Sequence, residues 1–382
     1  MSDVLVVGGG VVGLSLAYEL AGHGARVCLL ERGPLGREAS WAGAGILVPS
    51  GFRPVHDPYT QLFRLSGELY PTWSAQLREE TGVDNGFRQC GAIYLATTED
   101  DRLDLEHEAA EWRLRGVRCE LLDGAALAER EPAMATSQAR DQLKGAWWLP
   151  EEGQVRNPRH LKALALACAR RGVDIRSGVA VEGFEVAGGR VTAALTSDGP
   201  VAAHQVCITS GPWSRSLAAR LGFELPVRPV RGQMVLLSSP QPVLRTIVNC
   251  GKEYLVPRAD GRILVGSTEE DAGFDKRTTA GAIGTLLELA TWLAPPLGEL
   301  SIEQCWAGLR PASHDRLPYL GKLPGWDNAY VATGHFRNGL QLSPATAVVM
   351  SRLMMGTDPG VDLTPFRVDR GSASHVAAET NP

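Results

Sequence analysis

Three glycines near the start of the chain have the spacing and the context of a phosphate-binding turn. Gly8, Gly10 and Gly13 form G-x-G-x-x-G between an apolar run, residues 4–7, and a helical pattern. The first glycine allows a tight turn, the second lets the backbone approach a pyrophosphate, and the third lets the helix pack on the strand. A phosphate bound there would face the amide groups and the positive end of the helix dipole.

An acidic residue follows at the distance that a dinucleotide site requires. Glu31 stands 18 residues after Gly13, at the end of a second apolar run. Its carboxylate can accept hydrogen bonds from the ribose hydroxyls of an adenosine and would repel a 2′-phosphate. The motif therefore disfavours NADP and leaves both FAD and NAD open; the alternative is a glycine turn that binds nothing.

A run of small residues could form a further wall of such a site. Residues 37–46 read Arg-Glu-Ala-Ser-Trp-Ala-Gly-Ala-Gly-Ile, and Ser40 supplies a hydroxyl. Small side chains allow a pyrophosphate or a flavin edge to approach the backbone. The alternative is a flexible surface loop.

Two short segments in the C-terminal third suit the binding of anions. Residues 306–311, Trp-Ala-Gly-Leu-Arg-Pro, place Arg310 between a strand and a proline turn, where it could bind a carboxylate through two hydrogen bonds. Residues 334–339, Gly-His-Phe-Arg-Asn-Gly, form a loop that leads into a helix, whose N-terminus could stabilise a reduced, anionic flavin. The alternatives are a surface ion pair for Arg310 and a purely structural turn for the loop.

The elements that must position these residues alternate between helix and strand. Helical patterns cover residues 59–81, 99–115, 158–171 and 279–293, and residues 225–267 have an antiparallel pattern. Ser343 and Pro344 are predicted to be the N-cap and first residue of the last helix. Interleaved domains explain the pattern: a dinucleotide-binding domain of residues 1–85, 150–222 and 305–370, which the resemblance given below makes an FAD-binding domain, a substrate domain of residues 86–149 and 223–304, and a flexible tail, 371–382.

The fold class predicted is α/β (α+β), a discontinuous Rossmann-type domain with a mainly antiparallel sheet. The 382 residues carry a net charge of −5, which provides no field for nucleic acid or an anionic membrane. Seven cysteines without a C-x-x-C pair favour a reducing compartment over disulfides or zinc. Asp3 argues against a signal peptide, and no apolar segment reaches ~20 residues. We expect a cytoplasmic protein without a metal.

Several segments resemble the glycine oxidase branch of the D-amino-acid oxidase family of flavoproteins, of the thiamine-pathway type. They occur in family order from the first strand to the last helix and are residues 6–15, 39–47, 211–213, 254–258, 306–311 and 334–339. The pairing of W-A-G-L-R-P with G-H-F-R-N-G is the more specific part. The resemblance implies non-covalently bound FAD and a homotetramer.

The resemblance also implies the site residues. The cofactor-binding residues would be Gly8, Gly10, Val11, Val12, Gly13, Glu31, Arg32, Ala39, Ser40, Ala44, Gly45, Ile46, Val179, Gly211, Arg316, His335, Phe336, Arg337, Asn338, Gly339, Leu340 and Gln341. Arg310 would bind the substrate carboxylate with the Tyr254 hydroxyl, near Arg337 and Ile46. Trp41 and Ile46 depart from the family pattern, which leaves pocket width open, and Tyr254 could also be an ordinary strand tyrosine.

The implied reaction is oxidation of glycine or another small amine such as sarcosine, N-ethylglycine or a small D-amino acid. FAD would take a hydride equivalent, so no catalytic acid or base is nominated, and the ammonium would lose its proton in a pocket without a carboxylate. The imine would give a 2-oxo acid or enter thiazole synthesis, and O2 would give hydrogen peroxide. The alternatives are a dehydrogenase with another acceptor, a non-catalytic flavin-binding scaffold and an NAD-dependent dehydrogenase.

Overall fold

The computed structural model describes residues 2–53 and 56–370, without the side chains of Gln138 and Arg140. The tail predicted for residues 371–382 lies outside these residues. The α-helices of the described chain are α1 (Val11–Gly22), α2 (Ala39–Ala42), α3 (Pro58–Thr81), α4 (Glu99–Leu114), α5 (Gly124–Arg130), α6 (Gln138–Gln142), α7 (Asn157–Arg170), α8 (Ser214–Ala219), α9 (Ala280–Leu293) and α10 (Gly339–Met354).

The strands fall into three sheets. In chain order they are β1 (Ser2–Val7), β2 (Val27–Glu31), β3 (Ile46–Leu47), β4 (Arg88–Gln89), β5 (Ala92–Ala96), β6 (Glu120–Leu121), β7 (Gly145–Leu149), β8 (Gly153–Gln154), β9 (Asp174–Ser177), β10 (Val181–Ala187), β11 (Arg190–Thr196), β12 (Gly199–Ile208), β13 (Arg228–Ser238), β14 (Ile247–Cys250), β15 (Glu253–Pro257), β16 (Ile263–Gly266), β17 (Ser301–Ala312), β18 (Tyr319–Lys322) and β19 (Ala329–Thr333).

The first sheet has a parallel centre, as the buried apolar run at the N-terminus predicts. Strand β1 lies between β2 and β12, and β9 and β19 continue the parallel order on either side. Helices α1, α3, α7 and α10 cover one face and form the largest core cluster with it. This layer is the predicted Rossmann-type domain, since its strands come from both ends of the chain and from the middle.

The second sheet is mainly antiparallel and has the order β17-β13-β16-β15-β14-β5-β7-β6. Its apolar outer face packs against α5 and α9. Strand β17 pairs with β13 from Ser301 to Ala312. The domain boundary predicted at residue 305 therefore cuts a strand, and Arg310 and Pro311 lie inside that strand instead of at a proline turn.

The start of the last helix was predicted wrongly. Helix α10 begins at Gly339, so Pro344 lies inside it. A proline there leaves the carbonyl of Leu340 without its helical donor. The Tyr70 hydroxyl donates to that carbonyl, and so does Ser343 Oγ at 3.0 Å. Side chains that replace the missing N–H allow the helix to start five residues earlier.

The other predicted elements agree with the structure to within a few residues. Strand β15 lies within the predicted antiparallel region of residues 225–267, and α9 begins directly after its N-cap Thr279, whose side chain accepts from Ala282 N. The small-residue segment contains the short helix α2 and strand β3. Across residues 2–53 and 56–370, no helix combines the length and apolar character needed to cross a bilayer.

Candidate active site

A cavity of about 510 Å³ lies between the two large sheets. One end is bounded by Glu31 on the parallel sheet and by Val179 between β9 and β10, and the other by Tyr254 and Arg310 on the antiparallel sheet. It brings together 22 of the 24 different residues predicted for the site, which leaves out Gly13 and Arg316. Separate segments of the sequence thus meet around one continuous space.

Gly13 is absent from the cavity wall because it performs the packing role predicted for the third glycine. A Cβ at this position would lie 1.9 Å from the carbonyl oxygen of Gly8. Gly8 itself has φ +119°, a conformation that side chains disfavour. The two glycines together let α1 begin directly at the end of β1, with Gly10 as its N-cap.

Arg316 lies outside the cavity. It is exposed in the segment between β17 and β18 and has a left-handed backbone with φ 66°. Because the structure does not bring it to the cavity wall, Arg316 is removed from the set of candidate cofactor-binding residues.

The Glu31 carboxylate is fixed at one end of the cavity by two backbone amides. Its Oε2 accepts from Gly9 N at 2.8 Å, and its Oε1 accepts from Gly33 N at 3.0 Å. Val11 N donates to Ser40 Oγ at 2.9 Å, which joins the glycine turn to the small-residue segment. A carboxylate held this way retains lone pairs that can accept from ribose hydroxyls.

An aromatic and cationic cluster closes the same end. The Arg32 guanidinium lies 3.7 Å from the centroid of the Trp213 ring, and Trp213 contacts Phe274 at 5.4 Å between centroids. Lys276 Nζ donates to Glu38 Oε2 at 2.9 Å. The segment that follows β16 is therefore tied to the edge of the nucleotide-binding turn.

The small-residue segment approaches its neighbours too closely for larger side chains. A Cβ at Gly45, which has φ +77°, would lie 2.1 Å from Val155 O. Arg258 Nη2 donates to Ala44 O at 2.6 Å. Burial without a paired carboxylate lowers the pKa of this guanidinium to about 9. A buried arginine thus fixes the backbone at this part of the cavity wall.

The loop before α10 and the first turn of that helix line the opposite wall. His335 is buried and lies 3.0 Å from Thr346 Oγ1 through its Nε2, and burial lowers its pKa to about 4. Asn338 Nδ2 donates to Tyr59 Oη at 2.8 Å, and Gln341 Oε1 accepts from Val48 N at 2.9 Å. The amide end of a long helix therefore faces the cavity, as predicted from the sequence.

Arg310 lies half-buried on the cavity wall, and no carboxylate in the described chain lies within 4 Å to form an ion pair with it. Its Nη2 donates to Ser267 Oγ at 2.5 Å and its Nη1 to Thr268 O at 3.2 Å. Burial lowers the pKa of the guanidinium, with Tyr254 and Arg337 among its electrostatic neighbours. The alternative of a surface ion pair is therefore wrong, and the group is available to an anion in the cavity.

Arg337 lies at the rim. Its Nη2 donates to Lys252 O at 2.7 Å, and its Nη1 is 3.8 Å from Glu269 Oε2. These contacts join the loop before α10 to the antiparallel sheet. Arg337 is thus partly neutralised, in contrast to Arg310.

Sequence reasoning missed several residues of the cavity wall. Tyr94, Asn249, Gly232 and Met234 line it, and Tyr94 contacts the buried Glu152. Asn249 pairs in register with both Tyr94 and Tyr254, so the three side chains share one face of the sheet. Strand β5 comes from a distant part of the chain, and no local signal in the sequence predicts its place beside β14.

The residues of this cavity fit an FAD molecule. The glycine turn is packed too closely for a Cβ at Gly8 or Gly13, Glu31 can bind a ribose, and the far end offers helix amides. The parallel sheet with this turn, closed by an antiparallel sheet, defines a two-domain flavoprotein oxidoreductase. Residues 3–353 match the family model of FAD dependent oxidoreductases named DAO, and the chain belongs to this family.

Individual relatives are similar over nearly the whole chain. A glycine oxidase of Pseudomonas putida is 38% identical over 366 residues, which cover 95% of this chain and 97% of the relative. The crystal structure of glycine oxidase from Geobacillus kaustophilus superposes with a TM-score of 0.91 at 36% identity, covering 97% and 98% of the two chains. The bifunctional protein ThiO/ThiG of Synechocystis sp. is 36% identical over 93% of this chain and 52% of its own length.

Proposed function

We propose that this protein is an FAD-dependent oxidase of glycine and other small amino acids. The observation that carries the proposal is Arg310, a half-buried guanidinium on the cavity wall without a partner carboxylate. A partly desolvated cation of this kind is stabilised when a substrate carboxylate binds it. The names of the full-length relatives support glycine as the substrate.

The described residues support a site for a small substrate. Arg310 would hold the carboxylate, and Tyr254, 9% exposed and facing the same space, would add a hydroxyl donor. Ile46 and Met234 line the same part of the wall and limit the room around the α-carbon. We therefore expect glycine, sarcosine and N-ethylglycine to be better substrates than amino acids with long side chains.

Bound FAD would supply the two-electron oxidation of the substrate. Gly8, Gly10, Val11, Val12, Glu31 and Arg32 would hold its adenosine and pyrophosphate, and residues 335–341 would contact its ring. Arg310 would orient the α-carbon hydrogen toward that ring. We propose that the imine product gives a 2-oxo acid, that O2 is reduced to hydrogen peroxide, and that the reaction can serve thiazole formation for thiamine.

The resemblance also supports proposals about the state of the protein in the cell. We propose a cytoplasmic homotetramer; all seven cysteines are free, which is typical of a reducing compartment. Light scattering of the purified protein at several concentrations measures its mass, and a stable monomer would contradict the tetramer.

The oxidase proposal is tested by comparing O2 with a redox dye as the electron acceptor. In air, the purified protein should release peroxide with glycine and with other small amino acids such as sarcosine. It should release none with methylamine, which lacks a carboxylate. Dye reduction without peroxide would show a dehydrogenase. A bound flavin that no amine reduces would show a non-catalytic scaffold. A colourless protein that reduces NAD in the presence of the substrate would show an NAD-dependent dehydrogenase.

A further inference from the structure

A carboxylate is buried directly behind the cavity wall, at the turn between β7 and β8. Glu152 is fully buried, and its Oε2 accepts from the Tyr94 hydroxyl at 2.7 Å. Its Oε1 accepts from Asn249 Nδ2 at 3.4 Å. Within residues 2–53 and 56–370, no ion pair joins this carboxylate to a cation.

The turn that carries this side chain is held firmly. The backbone carbonyl of Glu152 accepts from Cys90 N at 3.1 Å and from Gly91 N at 2.9 Å. Burial of a carboxylate without a cation is costly, so a purely structural role is a poor reason for its presence. An apolar residue would fill the same space at a lower cost.

The two partners of Glu152 are cavity residues. Tyr94 and Asn249 both line the cavity and lie beside Tyr254 on one face of the sheet. An amino acid whose carboxylate is bound by Arg310 and Tyr254 would extend its ammonium along this row. Tyr94, which both lines the cavity and donates to Glu152, thus connects the cavity to the buried carboxylate.

We propose that Glu152 accepts, through the Tyr94 hydroxyl, the proton that the substrate ammonium loses before oxidation. This inference rests on the proposed function. One N–H bond of the ammonium breaks and its proton goes to the Tyr94 oxygen, while the Tyr94 hydroxyl proton goes to Glu152 Oε2. The products are a neutral amine and a carboxylic acid; no electrons are transferred in this step.

The protonation states of both groups suit this transfer near neutral pH. Burial raises the pKa of Glu152 from 4.5 to about 7, so its carboxylate is basic enough to take a proton there. Burial raises the pKa of the Tyr94 hydroxyl well above its usual value, so this hydroxyl passes a proton on and does not lose it. The proposal departs from the expectation of a pocket that offers the ammonium no carboxylate, because Glu152 lies directly behind the cavity wall in contact with Tyr94.

The surrounding groups do not provide another acceptor on this path. Glu108 on α4 and Cys119 act on Tyr94 through their charges, but neither accepts the Tyr94 hydroxyl hydrogen bond, which goes to Glu152, and neither lines the cavity. Cys250 on β14 has its pKa raised to about 11 by burial. Arg258, directly after β15, donates to Gln154 Oε1 and to backbone carbonyls, not to Glu152.

The test compares the pH dependence of glycine oxidation in three variants. Glu152→Gln and Tyr94→Phe remove the acceptor and the relay, and Glu131→Gln removes another fully buried carboxylate, one that accepts from Thr246 N and does not line the cavity. Wild-type kcat/KM should rise to a plateau above pH 7. In the first two variants only the neutral amine reacts, so kcat/KM should be about 10²-fold lower at pH 7 and should rise about tenfold per pH unit.

Two further readouts separate this role from a structural one. The visible spectrum checks that each variant retains FAD. Infrared difference spectra between pH 6 and pH 8 should show a protonated carboxyl in the wild type and in Glu131→Gln, and none in Glu152→Gln. If Glu152→Gln does not fold, the pH dependence of kcat/KM in Tyr94→Phe still tests the proposed proton transfer.

The outcomes distinguish this inference from the proposed function. The role of Glu152 would be overturned if kcat/KM of Glu152→Gln and Tyr94→Phe depended on pH as in the wild type, or if no carboxyl group titrated near pH 7. Neither result would affect the proposal of glycine oxidation. A wild-type holoenzyme that no amine reduces would overturn the proposed function, and this inference with it.

Discussion

The Ser267 hydroxyl oxygen lies 2.5 Å from Nη2 of Arg310. The guanidinium is thus held by an uncharged neighbour, and its charge is not neutralised. It also lies across Gly232, where a Cβ would be 2.3 Å from Nη1. Gly232 on β13 and Ser267 directly after β16 therefore fix the orientation of the candidate carboxylate-binding group.

Ser267→Ala should weaken substrate binding without removing the charge. Loss of one acceptor for a charged donor is worth about 1.5–3 kcal/mol, so we expect KM for glycine to rise about tenfold, with a smaller effect on kcat. Steady-state kinetics measure both values. An unchanged KM would show that Ser267 does not position Arg310.

Arg310→Ala should retain FAD and lose most glycine turnover through weaker binding. A bidentate, charge-assisted interaction is lost, so kcat/KM should fall by roughly 10²–10³-fold. Arg262→Ala is the matched control, because Arg262 forms ion pairs with Asp260 and Glu303 away from the cavity. Equal catalytic efficiency in Arg310→Ala and wild type would end the carboxylate assignment.

Sequence reasoning succeeded where neighbours in the chain decide the structure. The glycine turn between β1 and α1 and the helical patterns of α3 and α9 needed only local patterns. It failed at Pro344, because the donor that replaces the missing N–H comes from Tyr70, far away in the sequence.

The same limit applies to the candidate site. Arg310 was identified from its own segment, but Tyr94, Asn249 and Glu152 meet only because β5 pairs with β14. Strand register between distant segments is not contained in a local pattern, so these residues could not be predicted. The exclusion of Arg316 likewise required its exposed position in the folded chain.

Glu31→Ala should weaken FAD binding. The change removes the acceptor of Gly9 N and Gly33 N and the carboxylate proposed to bind the ribose. We expect the Kd of the apoprotein for FAD, measured by fluorescence titration, to rise at least about tenfold. Glu185→Ala, an exposed glutamate on β10 of the same sheet, should leave the Kd unchanged. An equal effect of both changes would contradict the assignment.

His160→Gln should reduce the loss of stability in acid. Burial lowers the pKa of His160 to about 4 from 6.5, so the unfolded chain binds a proton that the folded chain rejects as the pH falls from 6.5 to 4. His160 therefore lowers the free energy of unfolding by roughly 3 kcal/mol as the pH falls across that range.

Since the raised pKa of Glu152 acts in the opposite direction, the quantity to measure is the difference between variant and wild type. Urea unfolding at several pH values gives this difference, with the exposed His107→Asn as control. If the free energy of unfolding changed equally with pH in His160→Gln and in the wild type, the prediction would be contradicted.

The most direct test of the central claim is the visible spectrum of the purified protein under anaerobic conditions before and after addition of glycine. The account predicts a flavin spectrum that glycine bleaches and that returns when air is admitted. A well-folded protein that is colourless and takes up no added FAD, or a bound flavin that glycine leaves oxidised, would contradict it.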